Sequence, residues 1–174
     1  FGDTFGDNLE GEMITILFVC TGNTCRSPMA AGLARHLLAQ GGELRVQVLS
    51  AGVWALPGAK ATEEAVEALA EQGIDISEHR STMLTADLIE QADVVLTMTA
   101  THKQNVLQAG GQAEHKVFTI GEYARMGGDL ADPFGGSLAV YRQYAARLEI
   151  LIKLGLKRLK GEINRTGQDN HGKM

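Results

Sequence analysis

Four short apolar runs, each followed by a stretch of helical periodicity, constrain this chain more than any other feature. Residues 14–19 form an apolar run rich in β-branched side chains, the pattern of a strand buried on both faces. Pro28 directly follows Ser27, which predicts a helix with Ser27 as N-cap and Pro28 as first helical residue. Ala30, Leu33, Ala34, Leu37 and Leu38 line one face of that helix, and Gly41 and Gly42 end it. Residues 44–49, 94–98 and 116–120 read as three further strands. Helices are predicted over 62–72, with Ala65, Val66, Leu69 and Ala70 inward and Gly73 as its stop, and over 85–91 and 101–109. A glycine-rich loop at 127–136 leads into a long helix over 137–159. Its stripe of Leu138, Tyr141, Ala145, Leu148 and Ile152 is expected in the core, together with Met83 and Met98.

Strand–helix alternation with right-handed crossovers predicts an α/β three-layer sandwich around a central four-stranded parallel sheet, flavodoxin-like. In such sheets ligands bind beyond the carboxyl ends of the strands. That edge gathers Cys20, Ser50, Thr99 and the loop at 121–136. Residues 1–12 read as a leader without useful periodicity, 13–161 as a single domain, and 162–174 as a frayed polar tail.

Charge narrows the function. Asp3, Asp7, Glu10 and Glu12 stand ahead of Met13 with no Lys or Arg, so of a net −5 only −1 remains for the rest. A near-neutral body argues against nucleic acid bound through a broad basic face. No apolar stretch is long enough to span a bilayer, and no secretory signal pattern precedes Met13. Two cysteines, Cys20 and Cys25, make neither a disulfide framework nor a zinc site, and they fit the reducing cytoplasm. His36, His79, His102, His115 and His171 do not fall into metal-ligand spacing.

The chemistry concentrates between the first strand and the first helix, in Cys20, Thr21, Gly22, Asn23, Thr24, Cys25, Arg26 and Ser27. Such a loop can curl its N–H groups around an anion, and the helix N-terminus beneath adds partial positive charge. Gly22 and Asn23 tolerate the left-handed angles of a tight curl. The planar fork of Arg26 meets two phosphate oxygens at once. The same features favour a thiolate at Cys20, which makes it a nucleophile for phosphoryl transfer onto sulfur. Asp132, stiffened by Pro133 and followed by Phe134, Gly135 and Gly136, supplies an acid for the leaving group and then a base for water. Charge stabilisation rests on Arg26 and backbone dipoles, so neither metal nor cofactor is called for.

C-T-G-N-T-C-R-S-P at 20–28 together with D-P-F-G-G at 132–136 resembles the low-molecular-weight protein tyrosine phosphatase family. The resemblance implies Cys20 as nucleophile, Arg26 as phosphate-binding arginine and Asp132 as general acid. It also implies that Asn23, Ser27, Ser50 and His79 form a hydrogen-bonded group supporting the loop and the thiolate. Ser27 would donate its hydroxyl to sulfur and ease its departure in the second step.

Tyrosine-directed members carry a large aliphatic residue before the second cysteine and aromatic residues after Asp-Pro. This chain has Thr24, then Phe134 and Gly135. Both departures resemble the bacterial branch of protein arginine phosphatases, as do the segments at 50–53, 58–62 and 116–119. A flat phosphotyrosine ring favours an aliphatic wall, whereas a phosphoarginine guanidinium offers N–H donors. The Thr24 hydroxyl can accept one of these and the Asp132 carboxylate another, a difference of about 1–3 kcal/mol per unpaired donor. Trp54 and Phe134 are candidates for the pocket mouth or for the core. The expected substrates are phosphorylated proteins, and the expected state is a monomer.

Phosphotyrosine hydrolysis is the alternative reading. Arsenate reductases of similar fold need further cysteines, and none follows Cys25. An idle phosphate-binding module would have lost Cys20, Arg26 or Asp132, and a flavin site rests on fold class alone. Cys25 is placed to trap an oxidised Cys20 as a reversible disulfide.

Overall fold

The computed structural model describes residues 13–41 and 45–171, with the side chains of the last helix described as far as 166. The leader at 1–12 lies outside these residues, as do Gly42, Leu44 and 172–174.

Four parallel strands, β1 (Ile14–Cys20), β2 (Val46–Gly52), β3 (Val94–Thr97) and β4 (Val117–Thr119), lie in the order β2-β1-β3-β4. The helices are α1 (Arg26–Gly41), α2 (Glu63–Ala70), α3 (Ala86–Gln91), α4 (Ala100–Gly110), α5 (Ile120–Tyr123) and α6 (Leu138–His171). Every residue of β1 is buried, because the strand is central and helices cover both its faces. Alternation divides the core. Ile16, Phe18, Cys20, Val94 and Leu96 face Met29 and Leu33 of α1 and Tyr141, Leu148 and Ile152 of α6. Leu17, Val19, Val95 and Val117 face Ile89 of α3 and Val106 of α4. This is the three-layer α/β sandwich expected from the strand–helix alternation.

Side-chain caps set several helix starts. Thr62, Thr85, Thr99 and Thr119 each accept a backbone N–H of the first turn of α2, α3, α4 and α5. Gly73, at φ 78°, ends the α2 segment as expected.

Some expectations are corrected. β2 runs on to Gly52, carried by its pairing with β1 as far as Cys20. In α2, Ala65, Ala68 and Leu69 are buried, the i, i+3, i+4 face, and Val66 packs on the core as expected, while Ala70 points out. Met83 is exposed, whereas Met98 is fully buried. Helix α6 continues through the segment expected as a frayed tail. Glu162 accepts from the Tyr123 hydroxyl at 3.0 Å and from Arg158 at 2.8 Å, and Ile163 packs on the core. Those contacts anchor a turn that reads as polar in one dimension.

Candidate active site

Strand β1 delivers Cys20 to the carboxyl edge of the sheet, and α1 begins six residues later at Arg26. The carbonyls between them are taken up from outside the loop. Val53 N–H donates to Cys20 O at 3.0 Å, Trp54 N–H to Thr21 O at 2.9 Å and Thr62 N–H to Thr24 O at 2.8 Å. His79 Nε2 lies 2.7 Å from Asn23 O. In a planar trans peptide the next N–H points opposite to the carbonyl. Outward carbonyls therefore turn the loop's N–H groups inward, as an anion cradle requires. Close approach of β2 makes the cradle possible. A side chain on Gly52 would run into Thr21 O and come within 2.9 Å of Asn23 N.

Asn23 takes the left-handed conformation, with φ 56°. Gly22, expected to share that role, does not adopt positive φ, and a side chain there would make only ordinary contact. Asn23 is fully buried, and its side chain explains the unusual backbone. Its Oδ1 accepts from Thr82 N–H at 2.9 Å, and its Nδ2 donates to Ser27 Oγ at 2.7 Å and Ser50 Oγ at 3.0 Å. With a carbonyl as its partner, His79 Nε2 carries the hydrogen. Burial pushes that imidazole below its ordinary value, which keeps it neutral. Asn23, Ser27, Ser50 and His79 are thus brought together.

Ser27 is not the N-cap. Helix α1 starts at Arg26, two residues before Pro28, with Cys25 O accepting from Met29 N–H at 3.0 Å. The Ser27 hydroxyl is turned instead to Cys20 Sγ, at 2.8 Å. Since Asn23 already donates to that oxygen, its own hydrogen is free for the sulfur.

Arg26 is buried. Its NH1 donates to Leu130 O at 3.4 Å, and its NH2 faces Thr21 Oγ1 at 3.4 Å and Asp132 Oδ2 at 3.3 Å. All three contacts are long, and Nε is buried with no partner among the described residues. Asp132 sits at the rim with its side chain 49% exposed, and its Oδ1 accepts from Phe134 N–H at 3.0 Å. Cys25 Sγ lies 3.6 Å from the same oxygen. Burial first, then the charges of Asp132 and Cys20, push the Cys25 thiol up to about 12, so it stays protonated.

Trp54 is 80% and Phe134 72% exposed, so neither belongs to the core. Both are tied to the site through their backbones, Trp54 to Thr21 and Phe134 to Asp132. Thr24 is half-buried within the loop.

No sequence motif points to His102, in the first turn of α4. Its Nε2 lies 2.8 Å from Thr21 Oγ1. Burial first, then the nearby Arg26 charge, pushes this imidazole down to about 4. Its position 81 residues from Thr21 left no pattern to find.

A recessed sulfur, inward N–H groups, the start of a long helix, a buried guanidinium and a rim carboxylate can together hold a tetrahedral oxyanion and displace a group from it. The comparisons agree with that chemistry. The low molecular weight phosphotyrosine protein phosphatase model matches residues 15–165. The protein-arginine-phosphatase of Bacillus subtilis (strain 168) is 50% identical over 146 residues, 83% of this chain and 96% of that protein. The protein-arginine-phosphatase of Geobacillus stearothermophilus is 44% identical, over 84% of this chain and 97% of that protein. Among solved structures, a mutant YwlE arginine phosphatase with a phosphorylated active-site serine superposes with a TM-score of 0.81. It is 49% identical, over 84% of this chain and 96% of that one.

Proposed function

Because this chain belongs to the low molecular weight phosphotyrosine protein phosphatase family, we propose that it removes the phosphoryl group from phosphoarginine in proteins through a phosphocysteine on Cys20. Cys20 attacks phosphorus as the thiolate, an S–P bond forms, and the P–N bond to the substrate guanidine breaks. The inward N–H groups and Arg26 hold the phosphoryl oxygens through the transition state. Asp132, entering as the acid, gives its proton to the leaving nitrogen. Its carboxylate then takes a proton from water, which attacks phosphorus. The S–P bond breaks, inorganic phosphate leaves, and the Ser27 hydroxyl donates to the departing thiolate.

The observation that carries the phosphatase reading is the 2.8 Å contact between Cys20 Sγ and Ser27 Oγ inside a loop whose carbonyls are held outward. Arginine specificity draws on Thr24, a hydroxyl where an aromatic substrate would favour an aliphatic wall, and on the two arginine-phosphatase relatives. Phosphotyrosine is the second reading, favoured by the match to the phosphotyrosine protein phosphatase model. A thiolate nucleophile has to stay reduced, which fits a reducing, cytoplasmic setting.

The test is kcat/KM on one peptide scaffold carrying either phosphoarginine or phosphotyrosine. A preference for phosphoarginine that shrinks in Thr24→Ile supports the proposal. A preference for phosphotyrosine keeps the mechanism and removes the account of Thr24. Turnover that survives Cys20→Ser removes the mechanism itself.

A further inference from the structure

We propose that His102 is a positioning residue for Arg26, acting through the Thr21 hydroxyl, and that this relay sets how tightly the site holds phosphate. The proposal rests on the reading of Arg26 as the phosphate-binding cation.

His102 is only 4% exposed, and its Nδ1 is buried with no hydrogen-bond partner among the described residues. A fold seldom keeps an unpartnered buried ring nitrogen unless the rest of the side chain is needed. What the ring does make is the 2.8 Å contact from Nε2 to Thr21 Oγ1. Thr21 is exposed, so its hydroxyl would otherwise turn among three staggered positions. His102 holds it in the one that lets Oγ1 accept from Arg26 NH2 at 3.4 Å. Either tautomer of the ring makes this contact through Nε2.

The imidazole itself is firmly placed. Thr99 Oγ1 caps His102 N–H at 3.2 Å, Thr97 Oγ1 donates to Thr99 O at 2.9 Å, and Asp129 Oδ1 accepts from Ala100 N–H at 2.9 Å. The same edge fixes a second contact of Arg26. Leu130 N–H donates to Met98 O at 3.1 Å, which presents Leu130 O to Arg26 NH1. The turn from β3 into α4 thus aims the guanidinium from two sides, and Asp132 supplies the third contact. Among the described residues Nε has no partner, while NH1 and NH2 are held by these contacts. A neutral ring suits the task, since an imidazolium there would repel Arg26.

The experiment is calorimetric binding of inorganic phosphate, with kcat/KM measured alongside, for wild type, His102→Ala, His102→Gln, His102→Asn, Thr21→Val and the double variant His102→Ala/Thr21→Val. Gln places its amide near the position of Nε2, and Asn near Nδ1. His102→Ala and Thr21→Val are each expected to weaken phosphate binding about fivefold, close to 1 kcal/mol. Gln should restore most of that loss and Asn should not. The double variant should be no weaker than either single one, because both break the same relay. Wild-type affinity in His102→Ala, additive losses, or equal affinity of the Gln and Asn variants would overturn the proposal. If His102→Ala does not fold, the Gln–Asn contrast and Thr21→Val decide the matter. Phosphate binding needs no turnover, so a wild type that binds phosphate but cleaves no phosphoprotein removes the functional reading and leaves the relay testable. A wild type that binds no phosphate overturns both.

Discussion

Replacing Asn23 by alanine strikes the residue on which the loop's shape depends. Its side chain makes three hydrogen bonds, to Thr82 N–H, Ser27 Oγ and Ser50 Oγ, at 2.9, 2.7 and 3.0 Å. At a net value of about 1 kcal/mol each, their loss costs about 3 kcal/mol. Alanine must also hold φ 56°, which costs an L-residue with no local hydrogen bond about 1–2 kcal/mol. The expected total is about 4–5 kcal/mol. Glycine at the same position loses the same bonds but is free of the backbone strain. It gives back about 0.4–1 kcal/mol through a more flexible unfolded chain. Asn23→Gly is therefore expected to be the milder change, by about 0.5 kcal/mol. The assay is urea unfolding of the three proteins in phosphate-free buffer, compared by midpoint. With a slope of roughly 2 kcal/mol/M, the alanine variant should lose about 2 M. A loss under about 0.5 M, or an alanine variant more stable than the glycine one, would refute the claim that this side chain holds the loop in its left-handed turn.

Other consequences can be checked separately. Below about pH 6.5 the unfolded chain protonates His102, while the folded one resists until about 4. The unfolded state then binds more protons, so stability is lost as the pH falls from about 6.5 towards 4 and is unaffected above that window. The drop by pH 5, on the order of 1–2 kcal/mol, should be largely missing from His102→Gln in urea titrations at each pH. Gly52→Ala would press a methyl group against the nucleophile loop, with Asn23 N at 2.9 Å and Ala55 Cβ at 3.0 Å. Overpacking of this kind costs about 1–3 kcal/mol, and kcat/KM should fall by more than that stability loss explains. Unchanged kinetics would mean the loop shifts freely. Mild peroxide should convert Cys20 to a sulfenic acid; Cys25 attacks it after losing its proton, forming a disulfide and releasing water, a step that its raised pKa makes faster at alkaline pH. Peptide mass mapping should find a Cys20–Cys25 link, with activity returning on reduction. Cys25→Ser should instead lose activity irreversibly.

The strand–helix order and the nucleophile loop were legible because they are local. A strand ending at Cys20 and a helix starting near Pro28 leave the chain between them little room, and Asn beside Gly marks where it must curl. Even there the detail shifted. The Ser27 hydroxyl found a sulfur rather than a helix N–H, because the helix starts two residues before Pro28, with Cys25 ahead of its first turn. Glu162 and Ile163 look like a solvated tail until Tyr123 and the core are placed beside them.

The site as a whole needed the tertiary structure. Arg26 and Asp132 are 106 residues apart, Thr21 and His102 81, and Asn23 and Thr82 59. No spacing rule links such pairs. Thr21 and His102 meet because the order β2-β1-β3-β4 puts the turns after β1 and β3 side by side; Thr82 reaches Asn23 from beside the end of β2, where Met83 bridges Gly52, and Asp132 comes from the loop after α5. Whether Trp54 and Phe134 are core or surface was equally beyond reach, since an isolated aromatic carries no period to say which way it faces. The amino-acid order by itself determined which groups could react. Burial of both sheet faces chose the strand order, and that order decided which groups stand within reach of one another.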